Sequence, residues 1–433
     1  MNTLIKNATI ITMEDENKII RNGYITIVDD KITFVGEHLP EDFLPQIIIE
    51  GKGRAVLPGL INAHTHTPMV LLRSYADDLP LQEWLFDRIF PVEDKFTAED
   101  VYWASMLGMM EMLRSGTTCF ADMYYFMDEI AKAVHKVGMR VNLSRGLQCF
   151  EPDFDAATDT RLIENEQLFK DWDGEGNGRI KVYLGPHSVY TCVPEYLEDV
   201  AELAHKLDTG IHMHLSETIK ENQDCIEKYG KSPVRHMYDL GLLRPNTLAA
   251  HCVHVTDEDM DILAQNNVNV IYNPGSNLKL ASGIAPVGKM MKKGINVALG
   301  TDGAASNNNL NMFEEIHLAA LISKGVEREP TLINAYQALK MATCNAASAL
   351  GLDQVAGVIK PGMKADLTII NMEKPHFYPS HNAVANIAYS VQAADVETVL
   401  VDGRILMEKG EFKTIDDEEV IYHINKISQR LFG

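Results

Sequence analysis

The sequence predicts an α/β fold in which a (β/α)8 TIM-like barrel is joined to a small β-sandwich domain formed by the two ends of the chain. Eight apolar, mostly β-branched runs recur between residues 57 and 302, and segments with helix-start signals separate them. The two ends of the chain show strand patterns without this alternation. We therefore predict a small β domain from residues 1–56 and 366–433, and a barrel domain from residues 57–365.

The small domain is predicted from β-branched segments at both ends of the chain. The first part contains runs at 4–11, 24–28 and 31–36, and Asp29-Asp30 separates the last two as a hairpin turn. Similar runs return at 365–370 and 396–403, after two helical stretches. Because strand patterns precede and follow the barrel, we expect both ends to pair in one sheet.

The barrel is predicted from strands and helices in alternation. The strands lie near residues 57–64, 117–122, 139–145, 180–187, 209–214, 247–251, 268–273 and 295–302. Helix starts are indicated by the capping patterns Thr97–Asp100 and Thr256–Asp259, and by Pro194 in a first turn. Successive strand–helix units favour a closed barrel over a doubly wound sheet.

Composition excludes several classes of partner. The net charge of −22 argues against nucleic acid and anionic membranes. Residues 1–18 lack the pattern of a signal peptide, and no apolar run reaches the length of a membrane span. The six cysteines include no Cys-x-x-Cys pair, which fits free thiols in a reducing compartment. We expect a cytoplasmic protein.

Polar residues at the predicted strand ends suggest a metal site. His64 and His66 form a His-x-His pair, and a strand points both imidazoles to one face. His214 ends the fifth strand and Asp302 the eighth, so we predict that His64, His66, His214 and Asp302 bind one divalent cation, zinc or iron. His212 shares a face with His214, and the reverse assignment stays open. We choose His214 because Glu217 follows it by three residues.

Such a site would carry out hydrolysis. A metal-bound water has a pKa of about 7 and provides hydroxide at neutral pH. Asp302 would accept a proton from this water, and Glu217 would act as general acid and base toward the substrate. His251, at the end of the sixth strand, would orient the hydroxide or stabilise developing charge. These residues alone leave open whether the attacked carbon carries an amine, an amide or a halide.

Several motifs resemble those of the amidohydrolase superfamily, in its mononuclear aminohydrolase branch. They are 58–66 (PGLINAHTH), 211–217 (IHMHLSE), His251, 273–280 (NPGSNLKL) and 301–303 (TDG). Within this branch the chain looks like the 5′-methylthioadenosine/S-adenosylhomocysteine deaminases, with which it shares 81–85 (LQEWL), 91–93 (PVE), 144–146 (SRG), 186–188 (PHS) and 305–309 (ASNNN).

The resemblance implies deamination of the adenine C6 amine in 5′-thio-substituted adenosines. It implies a single metal ion, because His187 stands where binuclear relatives carry a modified lysine. Glu93 would bind the ribose hydroxyls and His187 the ring or ribose. Arg145 would bind the 5′ substituent, with Arg161 as a second arginine. Such barrels are also possible homo-oligomers.

Three alternatives remain at this stage. The same chemistry could act on a free purine, pterin or triazine ring, as a deaminase or dechlorinase. Two metal ions could hydrolyse an amide, or an inactive barrel could serve as a binding scaffold.

Trp84 fits a lid over the ligand as well as it fits the core of a loop.

Overall fold

The computed structural model describes all residues from 1 to 433 and contains seventeen strands in two sheets. The strands are β1 (Asn2–Ile11), β2 (Ile19–Val28), β3 (Lys31–Gly36), β4 (Ile47–Glu50), β5 (Arg54–Pro58), β6 (Leu60–Thr65), β7 (Thr117–Tyr124), β8 (Arg140–Leu147), β9 (Ile180–Pro186), β10 (Ile211–Leu215), β11 (Thr247–His251), β12 (Asn269–Tyr272), β13 (Val297–Leu299), β14 (Leu367–Asn371), β15 (Val396–Val401), β16 (Arg404–Glu408) and β17 (Glu411–Phe412).

Eighteen α-helical segments accompany the strands. They are α1 (Leu81–Glu83), α2 (Phe90–Glu93), α3 (Ala98–Arg114), α4 (Met127–Val137), α5 (Thr160–Trp172), α6 (Glu175–Gly178), α7 (Pro194–Lys206), α8 (Ile219–Tyr229), α9 (Pro233–Asp239), α10 (Asp257–Gln265), α11 (Pro274–Lys279), α12 (Val287–Lys292), α13 (Ala304–Asn307), α14 (Met312–Glu327), α15 (Ala335–Met341), α16 (Cys344–Ala349), α17 (Ala383–Ser390) and α18 (Asp417–Phe432). A π-helical turn, Trp84–Ile89, joins α1 to α2. No helix has both the length and the apolar character needed to span a membrane.

The barrel consists of β6 to β13, paired in chain order with every pair parallel. The predicted fold class is confirmed, and each of the eight predicted strands has a counterpart in the barrel. The predicted helix starts are also present, since α3 and α10 begin with capping boxes at Thr97 and Thr256. In α3, Met106, Met109 and Met112 are buried in the main hydrophobic core.

The gap between β13 and β6 is closed by the residues that follow β13. The backbone N–H of Asp302 donates to the carbonyl of His64 at 3.0 Å. At Gly300 a Cβ would lie 2.7 Å from the His64 carbonyl oxygen, so only glycine allows the two segments to approach. This closure brings His64 and Asp302 together, although 238 positions separate them in the chain.

The second sheet has nine strands and combines both ends of the chain. Its order is β17-β16-β15-β14-β5-β1-β2-β3, and β4 also pairs with β1. The prediction that both ends share one sheet is correct, because β14 pairs antiparallel with β5. Ile5, Ile27 and Leu367 belong to one buried apolar cluster, so the two ends also share a core. The division into domains at residues 56/57 and 365/366 remains our proposal. β5 ends at Pro58 and β14 begins at Leu367, so each boundary lies within two residues of a strand end.

Candidate active site

The predicted site residues gather at the C-terminal end of the barrel. His64 lies in β6, His214 in β10 and His251 at the end of β11, while Asp302 follows β13. His251 has a φ of +75° and Asp302 a φ of +61°, both in the left-handed region that side chains other than glycine seldom adopt. Strained backbone of this kind concentrates at functional sites.

His64, His66, His214 and Asp302 form one compact cluster. Each offers a ligand atom, and these atoms lie within 4.8 Å of one another. Oδ1 of Asp302 lies 3.3 Å from Nε2 of His64 and 3.2 Å from Nε2 of His66. Nε2 of His66 is also 3.1 Å from Nε2 of His214. The structure therefore brings together all four predicted ligands.

Contacts behind the cluster orient its three imidazoles. Nδ1 of His66 contacts the Met123 carbonyl at 2.6 Å, and Nδ1 of His214 contacts the His187 carbonyl at 2.9 Å. Nδ1 of His64 lies 2.7 Å from Nε2 of His212. In each ring Nε2 is therefore the atom that faces the centre. Such outer contacts fix the tautomer of a metal-binding histidine.

His212 lies behind the cluster. Its Nε2 contacts His64, and its Nδ1 lies 3.3 Å from Oγ of Ser144. Both ring nitrogens are thus directed to neighbours in the barrel interior. This arrangement favours His214 over His212 as the metal ligand.

The donor set fits a divalent metal ion. Nε2 of His64 is buried and has no hydrogen-bond partner. Burial lowers the pKa of His64 to about 4 and keeps that of His214 well below its ordinary value, so both rings are in the neutral form that binds metals. Burial opposes the charge of His66, but Asp302 raises the pKa of this ring to about 9. A divalent cation would replace that positive charge.

Asp302 is held with one oxygen directed to the cluster. Oδ2 accepts hydrogen bonds from Oγ of Ser276 at 2.6 Å and Oγ of Ser306 at 2.8 Å, which leaves Oδ1 facing the histidines. Burial favours the neutral acid, but the neighbouring rings of His64 and His66 outweigh it and hold the pKa of Asp302 well below its usual range. Asp302 is therefore ionised.

Glu217 and His251 lie side by side at the edge of the cluster. Oε1 of Glu217 accepts a hydrogen bond from Oγ of Ser282 at 3.0 Å, and Oε2 lies 3.9 Å from Nε2 of His251. Burial raises the pKa of Glu217 above its ordinary value. Nδ1 of His251 lies 2.7 Å from Oδ1 of Asn277, and its buried Nε2 has no hydrogen-bond partner.

An inner chamber of about 50 Å³ adjoins the cluster. Its walls include Trp84, Glu93 and His187 beside the cluster residues, so the structure brings these three predicted contacts to the site. Glu93 is buried and accepts a hydrogen bond from the hydroxyl of Tyr124. Burial raises the pKa of Glu93 to about 7. Trp84 lies in the π-helical turn, a feature that is frequent at functional sites.

An outer chamber of about 570 Å³ lies next to the inner one, because Phe90, Glu93, Tyr124 and Tyr125 line both. Arg145 lies in its wall.

The two predicted arginines differ in their surroundings. Nε of Arg145 donates to Glu164 at 2.6 Å and Nη1 to the Gly146 carbonyl at 2.7 Å, which leaves Nη2 without a partner. Arg161 lines neither chamber, because its guanidinium pairs with Asp159 in the same helix start.

Sequence reasoning missed several supporting residues. Ser276 and Ser306 hold Asp302, Asn277 contacts His251, and Glu221 binds the backbone beside Glu217. Glu221 has a local signal, because Thr218-x-x-Glu221 matches a helix-start pattern. Ser276, Asn277 and Ser306 lie within the motifs 273–280 and 305–309, but the sequence assigned them no role. Ser276 and Asn277 lie in α11 and Ser306 lies in α13, and these short helices meet the site residues only in the folded barrel.

Comparisons with known proteins agree with this architecture. Residues 55–406 match the model of the amidohydrolase family. A curated 5-methylthioadenosine/S-adenosylhomocysteine deaminase from Thermoanaerobacter pseudethanolicus is 52% identical over 100% of this chain and 99% of its own length. One with the same name from Acetivibrio thermocellus is 51% identical over the full length of both chains.

Solved structures show the same fold. The crystal structure of an adenosine deaminase from Xanthomonas campestris with bound zinc superposes with a TM-score of 0.94 at 31% identity, over 99% of this chain and 98% of that one. An atrazine chlorohydrolase from Arthrobacter aurescens TC1 gives 0.91 at 24% identity, over 98% and 100% of the two chains, and supports the fold alone. Because the family match spans most of the sequence and relatives at about half identity cover all of it, the chain belongs to the amidohydrolase family.

Proposed function

We propose that this protein hydrolyses the C6 amine of 5′-methylthioadenosine, S-adenosylhomocysteine and related adenosines. Water replaces the amine, and the products are the inosine analogue and ammonia. The observation that carries the proposal is the position of Glu217 and Glu93 in one chamber with the cluster of three histidines and Asp302. Curated relatives with this name, about half identical over the whole chain, support the choice of substrate.

We propose one metal ion at the cluster, with zinc as the first choice and iron as the alternative. The residues that would hold it are His64, His66, His214 and Asp302. A divalent cation bound there would supply an activated water at neutral pH. The zinc in the related adenosine deaminase supports this choice of metal. His187 contributes its backbone carbonyl to His214, and its neutral ring faces the chamber.

Proton movement is assigned to three residues. Asp302 is ionised and faces the cluster with Oδ1, so it can accept the proton of the attacking water. Burial raises the pKa of Glu217, which favours its protonated form, and Glu217 would donate this proton to the ring nitrogen beside C6. The resulting carboxylate would then take the proton of the new C6 hydroxyl and pass it to the departing amine, and Asp302 would return the proton of the water to Glu217. Nε2 of His251 lies beside Glu217 without a hydrogen-bond partner and would orient the water.

Recognition of the ribose is assigned to Glu93. An ionised carboxylate can accept hydrogen bonds from both hydroxyls of a diol, and the Tyr124 hydroxyl holds Glu93 in place. Trp84 and His187 line the same chamber and would contact the ring and the ribose, which together need more than its volume of about 50 Å³ and would extend past Glu93 into the outer chamber. Trp84 is buried, and no protein group accepts a hydrogen bond from its indole N–H.

The 5′ substituent is assigned to the outer chamber. Its volume of about 570 Å³ exceeds what a methylthio group needs, so it can receive a homocysteinyl chain. Arg145 would bind the carboxylate of that chain through its free Nη2. Asp94 and Asp128 also line this chamber and would attract the ammonium group. We assign no role to Arg161, because Asp159 occupies it.

The alternative is the same chemistry on a free purine, pterin or triazine ring. A free ring has no ribose and gives Glu93 nothing to bind, which makes this residue the discriminating feature. We favour the nucleoside because Glu93 is buried with Tyr124 bound to only one of its oxygens, which leaves the other oxygen for a ligand hydroxyl.

The test uses protein loaded with zinc and follows the ultraviolet change from adenine to hypoxanthine. Substrates are adenosine, 5′-methylthioadenosine and S-adenosylhomocysteine, with guanine and a chlorotriazine assayed in parallel. We expect turnover that favours the two thio-nucleosides. Turnover of only free rings, with metal bound as shown by elemental analysis, would reject the nucleoside substrate. Two metal ions per chain would reject the mononuclear site.

We also propose a cytoplasmic location. All six cysteines are free, and five of them are buried. Free thiols are typical of a reducing compartment.

A further inference from the structure

Glu221, in the first turn of α8, is a buried carboxylate for which the proposed reaction has no direct use. Its side chain is 2% exposed. Oε1 accepts the backbone N–H of Ser216 at 2.8 Å, and Oε2 accepts the backbone N–H of Glu217 at 2.7 Å. One carboxylate therefore binds two consecutive peptide groups at the residue we assign as general acid and base.

The contact differs from an ordinary helix cap. The helix start is already capped by Thr218, whose hydroxyl accepts the backbone N–H of Glu221 at 3.1 Å. In a capping box the carboxylate would return to the N–H of Thr218. Here it reaches one and two residues further back, to the segment that leaves β10.

The bound segment has a strained backbone. Ser216 has a φ of +51°, in the left-handed region, and a conformation of this kind persists only when its surroundings impose it. The two hydrogen bonds that Glu221 accepts hold the peptide groups on either side of the Ser216 Cα. Glu217 follows directly, and its carboxylate is then aimed at Ser282 and His251.

We propose that Glu221 is a positioning residue, which fixes the backbone of Ser216 and Glu217 so that the Glu217 carboxylate faces the substrate. The proposal rests on the proposed function, in which Glu217 transfers protons. Glu221 itself touches no reacting atom.

Burial of a carboxylate here has a cost that a simple cap would avoid. Burial raises the pKa of Glu221 to about 7, despite hydrogen bonds from two backbone N–H groups that favour the charged form. A hydroxyl or amide could cap the helix at a smaller desolvation cost. The carboxylate binds the two adjacent N–H groups on separate oxygens, Oε1 for Ser216 and Oε2 for Glu217.

The experiment is a double-mutant cycle between Glu221 and Glu217. In zinc-loaded protein, Glu221→Ala should lower kcat by about 100-fold, the scale for displacing a catalytic group by about 1 Å. Metal content and KM should stay close to wild type. Glu227→Ala, at an exposed site in the same helix, is the matched control and should leave kcat unchanged.

The double variant separates positioning from general damage. If Glu221 acts only through Glu217, then Glu217→Gln with Glu221→Ala has the same kcat as Glu217→Gln alone. Losses that multiply would overturn the proposal, as would an unchanged kcat in Glu221→Ala. If Glu221→Ala fails to fold, Glu221→Gln serves in the same cycle, because it retains one acceptor oxygen and should lose about tenfold in kcat.

Failure of the two proposals can be told apart. Absence of turnover by zinc-loaded wild type on every thio-adenosine would reject the proposed function. If wild type is active and Glu221→Ala has the same kcat, only the role of Glu221 would be rejected.

Discussion

The two ends of the barrel each bury a group of charged side chains, and the two groups differ in how their atoms are paired. At the N-terminal end, Arg140 begins β8 and lies between Asp366 and Asp402 of the small sheet. Its Nε is 2.9 Å from Asp366 and its Nη2 is 2.7 Å from Asp402. At the C-terminal end, Asp302 lies among three histidines and close to a second carboxyl group, Glu217.

The difference is one of completeness. In the Arg140 group every charge has an opposite charge in contact, and none of its polar atoms lacks a hydrogen bond. In the C-terminal group Nε2 of His64 and Nε2 of His251 are both buried without a partner. A complete group joins two parts of a fold, whereas an incomplete one has atoms available for a ligand.

Removal of a metal ligand should have the largest effect. His214→Ala takes away one of the four proposed ligands, and we expect loss of bound zinc together with loss of measurable turnover. Elemental analysis and the ultraviolet assay measure the two effects on the same sample. His205→Ala, at the exposed end of α7, is the control. A His214→Ala protein that retains zinc and turnover would contradict the proposed ligand set.

Glu217→Gln should come next, because it removes the proton donor and leaves the ligands intact. We expect kcat to fall by about 10²–10⁴-fold, the usual contribution of general acid–base catalysis. Zinc content should remain at the wild-type level. Retained zinc with an almost unchanged kcat would show that Glu217 is not the acid and base.

Arg140→Ala tests the complete group and should affect stability alone. It leaves Asp366 buried without its partner, so we expect the free energy of unfolding to fall by about 3–5 kcal/mol. Denaturant unfolding measures the change, and kcat of the folded fraction should be unaltered. Lys6→Ala breaks the exposed Lys6–Glu50 pair of the same sheet and should cost less than about 1 kcal/mol. Equal losses in the two variants would contradict the comparison.

Glu93→Gln should produce a smaller effect that depends on the substrate. A neutral amide accepts fewer hydrogen bonds from the ribose hydroxyls, so we expect KM for 5′-methylthioadenosine to rise by about tenfold, which corresponds to about 1.4 kcal/mol. Steady-state kinetics on this nucleoside and on a free ring give the comparison. An equal change for both would remove the ribose role of Glu93.

The pH dependence of substrate binding should be the mildest effect. Burial raises the pKa of Glu93 from 4.5 to about 7, so this carboxyl is mostly neutral at pH 6 and mostly ionised at pH 8. KM for the nucleoside should therefore fall by about tenfold over that interval, and the slope should vanish in Glu93→Gln. The effect of pH on stability has the opposite sign. Between pH 4.5 and 7 Glu93 binds more protons in the folded state than in the unfolded state, so the free energy of unfolding decreases as pH rises.

The barrel and the small sheet could be predicted because their signals are local. Runs of β-branched residues, capping patterns such as that of Thr97, and the His64-x-His66 pair depend on neighbours in the chain. Backbone periodicity then decides which side chains share a face. The fold class and the gathering of His64, His66, His214 and Asp302 at one barrel end follow from these signals.

Tertiary structure decided what depends on contacts between side chains from separate parts of the chain. His212 and His214 share a face of β10, and only contacts with His64 and Ser144 show that His212 lies behind the cluster. The sequence made both Arg145 and Arg161 candidates for binding the 5′ substituent. In the structure Arg161 pairs with Asp159 and lines neither chamber. The physical reason is that periodicity fixes the direction of a side chain, whereas depth, hydrogen-bond partners and burial are set by residues distant in the chain.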